Sequence, residues 1–168
     1  MKKVCMLIVA LVFVIGWSSL LFTQEKAEKV PGMRFMMYAA RDVIFHVEAG
    51  KLAVQRGSSE GVKKFGQHEI DHHTQINDEL MQLASKKGVM LPKKMSKREQ
   101  ETLDKLGKLS GPDFDKAYLQ MEVRDHSKDL SAFQKEAKDG KDPDVKAWAA
   151  KTVAAIEEHL KMARDLSK

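Results

Sequence analysis

Imidazole is the side chain in this sequence best suited to hold a transition-metal ion or to carry a proton near neutral pH. The chain has six: His46, His68, His72, His73, His126 and His159. Its single cysteine, Cys5, excludes a disulfide framework and a cysteine-based zinc site. Met33, Met36 and Met37 could form a soft copper patch, but methionine at helical spacing is more often core filler. Neither a glycine-rich phosphate loop nor a local signature of a nucleophile triad is present. Glu69-x-x-His72 has the spacing of carboxylate-bridged di-iron bundles, which use two such pairs and two further glutamates. Glu122 and His126 are four apart instead, and the last quarter of the chain supplies no second pair, which counts against a di-metal redox enzyme.

The segments that must position these groups read as helices. Alternation with period two is scarce, and helix punctuation is frequent. A first helix is expected over about 33–56, with Gly57 as a left-handed cap. Ser58 or Ser59 caps a second, which runs to about Lys87 and stops at Gly88. The link 88–112 holds Pro92 and the capping-box spacing Ser96-x-x-Glu99, which predicts a short helix near 97–108. Ser110-Gly111-Pro112-Asp113 opens a third long helix, ended by Asp139-Gly140, and Asp142-Pro143 opens the fourth. Four helices of this length with a longer middle connection predict an all-α, up-down-up-down four-helix bundle with a short extra helix in that connection.

A helix turns 100° per residue, so each polar group can be placed against its apolar stripe. On the second helix the stripe is Phe65, Glu69, Ile76, Leu80 and Leu83; His72 and His73 straddle its centre, while His68 and Asp71 point away. On the third, His126 sits within Leu119, Val123, Leu130, Phe133 and Ala137, with Glu122 on the flank. On the fourth, His159 lies among Trp148, Thr152, Ile156, Ala163 and Leu166. On the first, Ala40, Ile44, Val47 and Leu52 define a stripe that contains Glu48 and leaves His46 on the far side. At about 1.5 Å of rise per residue, Glu48, His73, His126 and His159 come to similar depths near mid-bundle. Four such groups in one layer make a candidate metal site for zinc, copper, iron or nickel, with His72, Glu69 and Glu122 as secondary candidates. They would equally make a self-satisfied hydrogen-bond network.

Residues 1–24 stand apart. Lys2 and Lys3 precede an apolar run from Val4 to Phe22, which is the pattern of an export signal. No small-x-small cleavage signature follows it, and the run is nearly long enough to remain as a membrane anchor. Either outcome predicts export, with residues 25–32 as linker, 33–167 as the bundle, and the inner membrane as a partner only if the segment is retained. The overall charge of +5 includes those two lysines. The rest is a mixed surface and not the footprint of a nucleic-acid binder.

An ordered series of short stretches carries a family resemblance. It runs through Glu48-Ala-Gly-Lys-Leu-Ala-Val-Gln-Arg56, Val62-Lys-Lys-Phe65, His73-Thr74, Asn77-Asp-Glu-Leu80 and Leu109-Ser-Gly111. It continues through Phe114-Asp115-Lys-Ala-Tyr118, His126, Lys151-Thr152 and His159-Leu160. Over roughly residues 33–166 the chain resembles the exported bacterial family called domain of unknown function 4142. The resemblance implies a ferritin-like fold in the periplasm or cell envelope and no established activity. Glu48, His73, Asp115, Tyr118, His126 and His159 fall on positions of its motif. The family pattern has Asp-His-Thr where this chain has His72-His73-Thr74, which adds a nitrogen donor and removes a neighbouring carboxylate. It also favours Leu-Pro before the last histidine, where Val153-Ala154 stands here. The leading expectation is a non-enzymatic metal-binding envelope protein; the alternative is a structural or stress-related bundle with a buried His/Glu network.

Overall fold

The computed structural model of the protein describes residues 30–168. The export or anchor segment 1–24, Cys5 and most of the linker lie outside the described residues. Among those described, the protein is all-helical: α1 Met33–Arg56, α2 Glu60–Lys86, α3 Lys97–Leu106, α4 Gly111–Asp139 and α5 Pro143–Leu166. None of these helices is long and apolar enough to cross a membrane.

The helix starts follow their capping chemistry. Ser59 accepts the Val62 N–H, and Ser96 forms a full capping box with Glu99. Asp142 accepts the N–H groups of Asp144 and Val145 ahead of Pro143. Ser110 makes no side-chain cap, and α4 instead begins with a glycine at φ +62° followed by proline. Gly57 differs from expectation: its φ is −58° and its ψ 140°, so it is not a left-handed cap. Glycine is required there by space, because an added Cβ would meet the Ala53 carbonyl oxygen at 2.6 Å.

The four long helices pack as α1 along α2 and α4 along α5, and the two pairs meet through α2 against α5 and α1 against α4. The core falls into two apolar parts. One contains Met36, Val43, Ile76, Leu80, Phe133, Trp148 and Ile156. The other contains Phe45, Phe65, Leu103, Leu106, Phe114 and Tyr118. Between them along the helices lies a belt of buried polar residues: His46, Glu69, His73, Glu122, His126, Asp129 and His159. The methionines Met33 and Met36 are core, as their spacing predicts.

The first helix is rotated relative to its predicted stripe. Its buried residues are Met33, Met36, Ala39, Ala40, Val43, Phe45, His46, Ala49, Gly50 and Ala53, with Ile44, Val47, Glu48 and Leu52 only partly buried. Small residues let backbones approach closely. A Cβ on Gly50 would stand 2.6 Å from the Gly66 carbonyl oxygen, and one on Gly66 would stand 2.6 Å from the Ala53 Cβ. The larger residues keep cover on their own side: Leu52 packs against the core part that holds Leu103 and Leu106 of α3, and Ile44 lines a cavity with Val89 and Leu91 of the connection.

Lys87 is half-buried and clamps the end of α2 to the start of α5 through Asp142 (2.6 Å) and Asp144 (3.1 Å). Burial would raise the Asp142 carboxyl, but the Lys87 ammonium and the capped N–H groups hold it below the ordinary value. A carboxyl whose folded pKa is depressed adds stability above its unfolded pKa of about 4, and that stability is lost as pH falls through the folded value. Lys87→Ala should therefore lower stability at pH 7 and reduce the loss between about pH 4 and pH 2. Urea titrations across that range check this; parallel acid limbs in both proteins would refute it.

Candidate metal centre

Each residue of the polar belt is delivered by its helix at a position that packing has already buried. His46 comes from α1, Glu69 and His73 from α2, Glu122 and His126 from α4, and His159 from α5. His46, Glu69, His73 and His126 each offer one ligand atom, and the four atoms lie within 4.8 Å of one another.

Glu69 is the hub. Its Oε2 is 2.9 Å from His73 Nε2 and 3.5 Å from His126 Nε2, and its Oε1 is 3.3 Å from His159 Nδ1. Glu122 sits on the other side, with Oε2 at 3.0 Å from His46 Nδ1 and 3.1 Å from His126 Nδ1. The His46 and His73 rings are stacked, 4.8 Å between centroids and 13° between planes. Despite these short approaches, both ring nitrogens of His46 and His73 and all four carboxylate oxygens of Glu69 and Glu122 lack a hydrogen bond of proper orientation. Separations of 2.9–3.5 Å also match the donor–donor edges of a coordination polyhedron with metal–ligand bonds of about 2.1 Å.

His126 is pre-oriented. Its Nδ1 lies 3.2 Å from the Glu122 backbone carbonyl, so Nδ1 carries the proton and Nε2 turns towards Glu69. That is the arrangement that metal-ligating histidines adopt, one N–H held by an outer acceptor and the other nitrogen aimed at the ion.

The electrostatics are those of buried acids and imidazoles that shift one another in both directions. Burial would lower His46, but the negative charges of Glu122 and Asp42 raise it well above the ordinary value. Burial would raise Glu122, yet His46 and His126 hold it below the ordinary range. Burial and the neighbouring His46 and His126 lower His73 well below its usual value, which keeps it neutral with a lone pair available. His159 is lowered to about 2, chiefly by burial. A third group extends the belt: His46 Nε2 is 3.6 Å from both Asp42 Oδ1 and Asp129 Oδ2. Burial and the Asp129 charge push the Asp42 carboxyl up to about 8, and the Tyr38 hydroxyl donates to Asp129. These carboxylates face a cavity of about 290 Å³ whose wall includes Tyr38, Ser96, Glu99 and Arg124.

A family model for a domain of unknown function, DUF4142, matches residues 21–166. The chain belongs to this family. No curated protein and no solved structure matches it.

Within this DUF4142 domain the predicted residues separate clearly. The structure brings His73, His126 and His159 together with Glu69, Glu122 and, at the edge, His72. It does not bring Glu48 to them: Glu48 is half-exposed, pairs with Lys51 at 2.7 Å and lines an outer cavity beside α3. Glu69 occupies the carboxylate role expected of Glu48. His46, assigned to the far side of α1, is fully buried at the centre of the cluster. His68, expected to point away, lies against His72, with 3.8 Å between ring centroids. Both errors on α1 follow from weighting Ile44, Val47 and Leu52 above the alanines and Gly50. The sequence did hold a signal for His46: Asp42-x-x-x-His46, Glu69-x-x-x-His73 and Glu122-x-x-x-His126 repeat one acid–imidazole spacing on three helices. Residues four apart share a helix face, so the repeat marks His46 as the equivalent of His73 and His126. Asp115 instead closes the turn between α1 and α2, accepting from the Ser58 and Ser59 N–H groups (2.8 and 2.9 Å) and the Ser58 hydroxyl (2.8 Å). Tyr118 is fully buried in the adjoining apolar core. Burial, with the charges of Glu122 and Glu69, raises its hydroxyl well above the ordinary value.

Proposed function

We propose that this protein is an exported metal-binding bundle of the bacterial cell envelope, with His46, Glu69, His73 and His126 as ligands of one transition-metal ion. Glu122 orients His46 and His126. The fold proposed for it is ferritin-like, with the four long helices running up-down-up-down. The observation that carries this reading is the convergence of four ligand atoms within 4.8 Å at a fully buried place. Imidazole and carboxylate donors together suit zinc, iron, copper or nickel. No step of bond making is assigned to the site; the reading is of binding.

The test is thermal melting of the metal-stripped full-length chain in mild detergent, with and without each of those four ions. An ion at about 100 times its Kd contributes about 2.7 kcal/mol, which raises Tm by roughly 5–11 °C for a chain of this size. No shift with any ion, or the same shift in a variant carrying alanine at all four ligand positions, would refute the reading. The second reading, a structural or stress-related bundle with a metal-free network, draws on the His126 contacts to the Glu122 carbonyl and to His159 Nδ1, both 3.2 Å. On that reading chelators leave Tm unchanged.

A further inference from the structure

His68 and His72 lie just outside the buried belt and are used by neither reading above; His159, a member of the belt, turns its outer nitrogen towards them. His68 and His72 stand one turn apart on α2, and His159 reaches them from α5; one nitrogen of each lies within 4.8 Å of the other two. His159 Nε2 is 3.1 Å from His72 Nδ1. His68 Nε2 is a buried atom with no hydrogen bond of proper geometry, and its nearest charged neighbour is the exposed Glu158 carboxylate, 3.7 Å away. We propose that His68, His72 and His159 form a second, solvent-reachable site for a divalent late transition ion such as Cu²⁺ or Zn²⁺.

The arrangement of protons supports this. His159 Nδ1 faces two acceptors, Glu69 Oε1 at 3.3 Å and His126 Nε2 at 3.2 Å. Whichever accepts, the proton is on Nδ1, and Nε2 is left as a bare nitrogen turned outward. Two histidines at i and i+4 present their rings on one helix face, and the third, from a facing helix, completes a nitrogen-only donor set. Such a set favours copper and zinc over the harder ions that carboxylates prefer. Access is direct: His72 also walls a cavity of about 210 Å³ between α2 and α5, shared with Gln75, Glu79 and Lys151. The buried cluster is shut away by comparison, so this second set can exchange ions without opening the core.

The test is titration of the metal-stripped full-length chain, in mild detergent, with Cu²⁺ alone, followed by equilibrium stoichiometry and electron paramagnetic resonance. His68→Gln/His72→Gln should lose one of two bound ions, and the lost ion should carry splitting from three nitrogens. His68→Gln alone, at a partly exposed position, should fold normally and weaken that ion about tenfold or more. His73→Gln should leave it in place. If the double variant loses an ion while His73→Gln keeps every ion that the wild type binds, the outer site stands and the buried-site reading falls. If the double variant and His68→Gln match the wild type in stoichiometry, affinity and spectrum, the outer site is refuted.

Discussion

His46→Leu should be among the most destabilising single changes in the metal-free protein, costing about 3–5 kcal/mol. His46 and Glu122 are both fully buried, 3.0 Å apart, and carry opposite charges. Removing one partner leaves the other as an uncompensated charge in a place water does not reach. His126 can relieve Glu122 only in part, because it also faces Glu69. Replacing both, as His46→Leu/Glu122→Leu, removes the stranded charge together with its partner, and should recover most of the loss. Chemical denaturation of the three variants measures this. A loss below about 1 kcal/mol for His46→Leu, or no recovery in the double variant, would mean that the pair is not the buried ion pair its geometry indicates.

Glu69→Gln should have the opposite profile: little change in the metal-free protein and a loss of metal affinity of about 100-fold or more. Glu69 touches His73, His126 and His159 at once, so no other carboxylate can take its place. Burial and the nearby Glu122 charge raise its pKa, so a neutral amide of the same shape relieves an unfavourable charge while keeping the packing. The metal-dependent rise in Tm should vanish while the metal-free Tm stays within a few degrees of wild type. If Glu69→Gln instead lowers the metal-free Tm sharply, and no ion stabilises the wild type, the hydrogen-bond network is the correct account of the belt. Protonation of His46 and His126 also competes with an ion at this site, so affinity should weaken as pH falls.

Much of the architecture was legible residue by residue. Ser59, Ser96, Asp142 and Pro143 mark helix starts because capping is local chemistry between neighbours in sequence. His73, His126 and His159 could be placed inward because their own helices carry strong apolar stripes. What apolar periodicity misplaced was the rotation of α1, although the Asp42-x-x-x-His46 spacing pointed to it. Apolar periodicity assigned the inner face to Ala40, Ile44, Val47 and Leu52, of which only Ala40 is buried. The fold assigned it to Ala49, Gly50 and Ala53, because two helix backbones meet at Gly50 and Gly66, and the short helix α3 covers the bulky side. That rotation moved Glu48 outward and His46 inward.

The sequence by itself determined the helices, their ends and the inward placement of three histidines, since all of these follow from chemistry within one helix. Tertiary structure decided which carboxylate they share, that His46 joins them, and that His68 and His72 gather beside His159 at the edge of the belt. Those outcomes depend on how closely neighbouring helices approach and how far each is turned about its own axis. Both are set by small residues at contacts between segments distant in sequence.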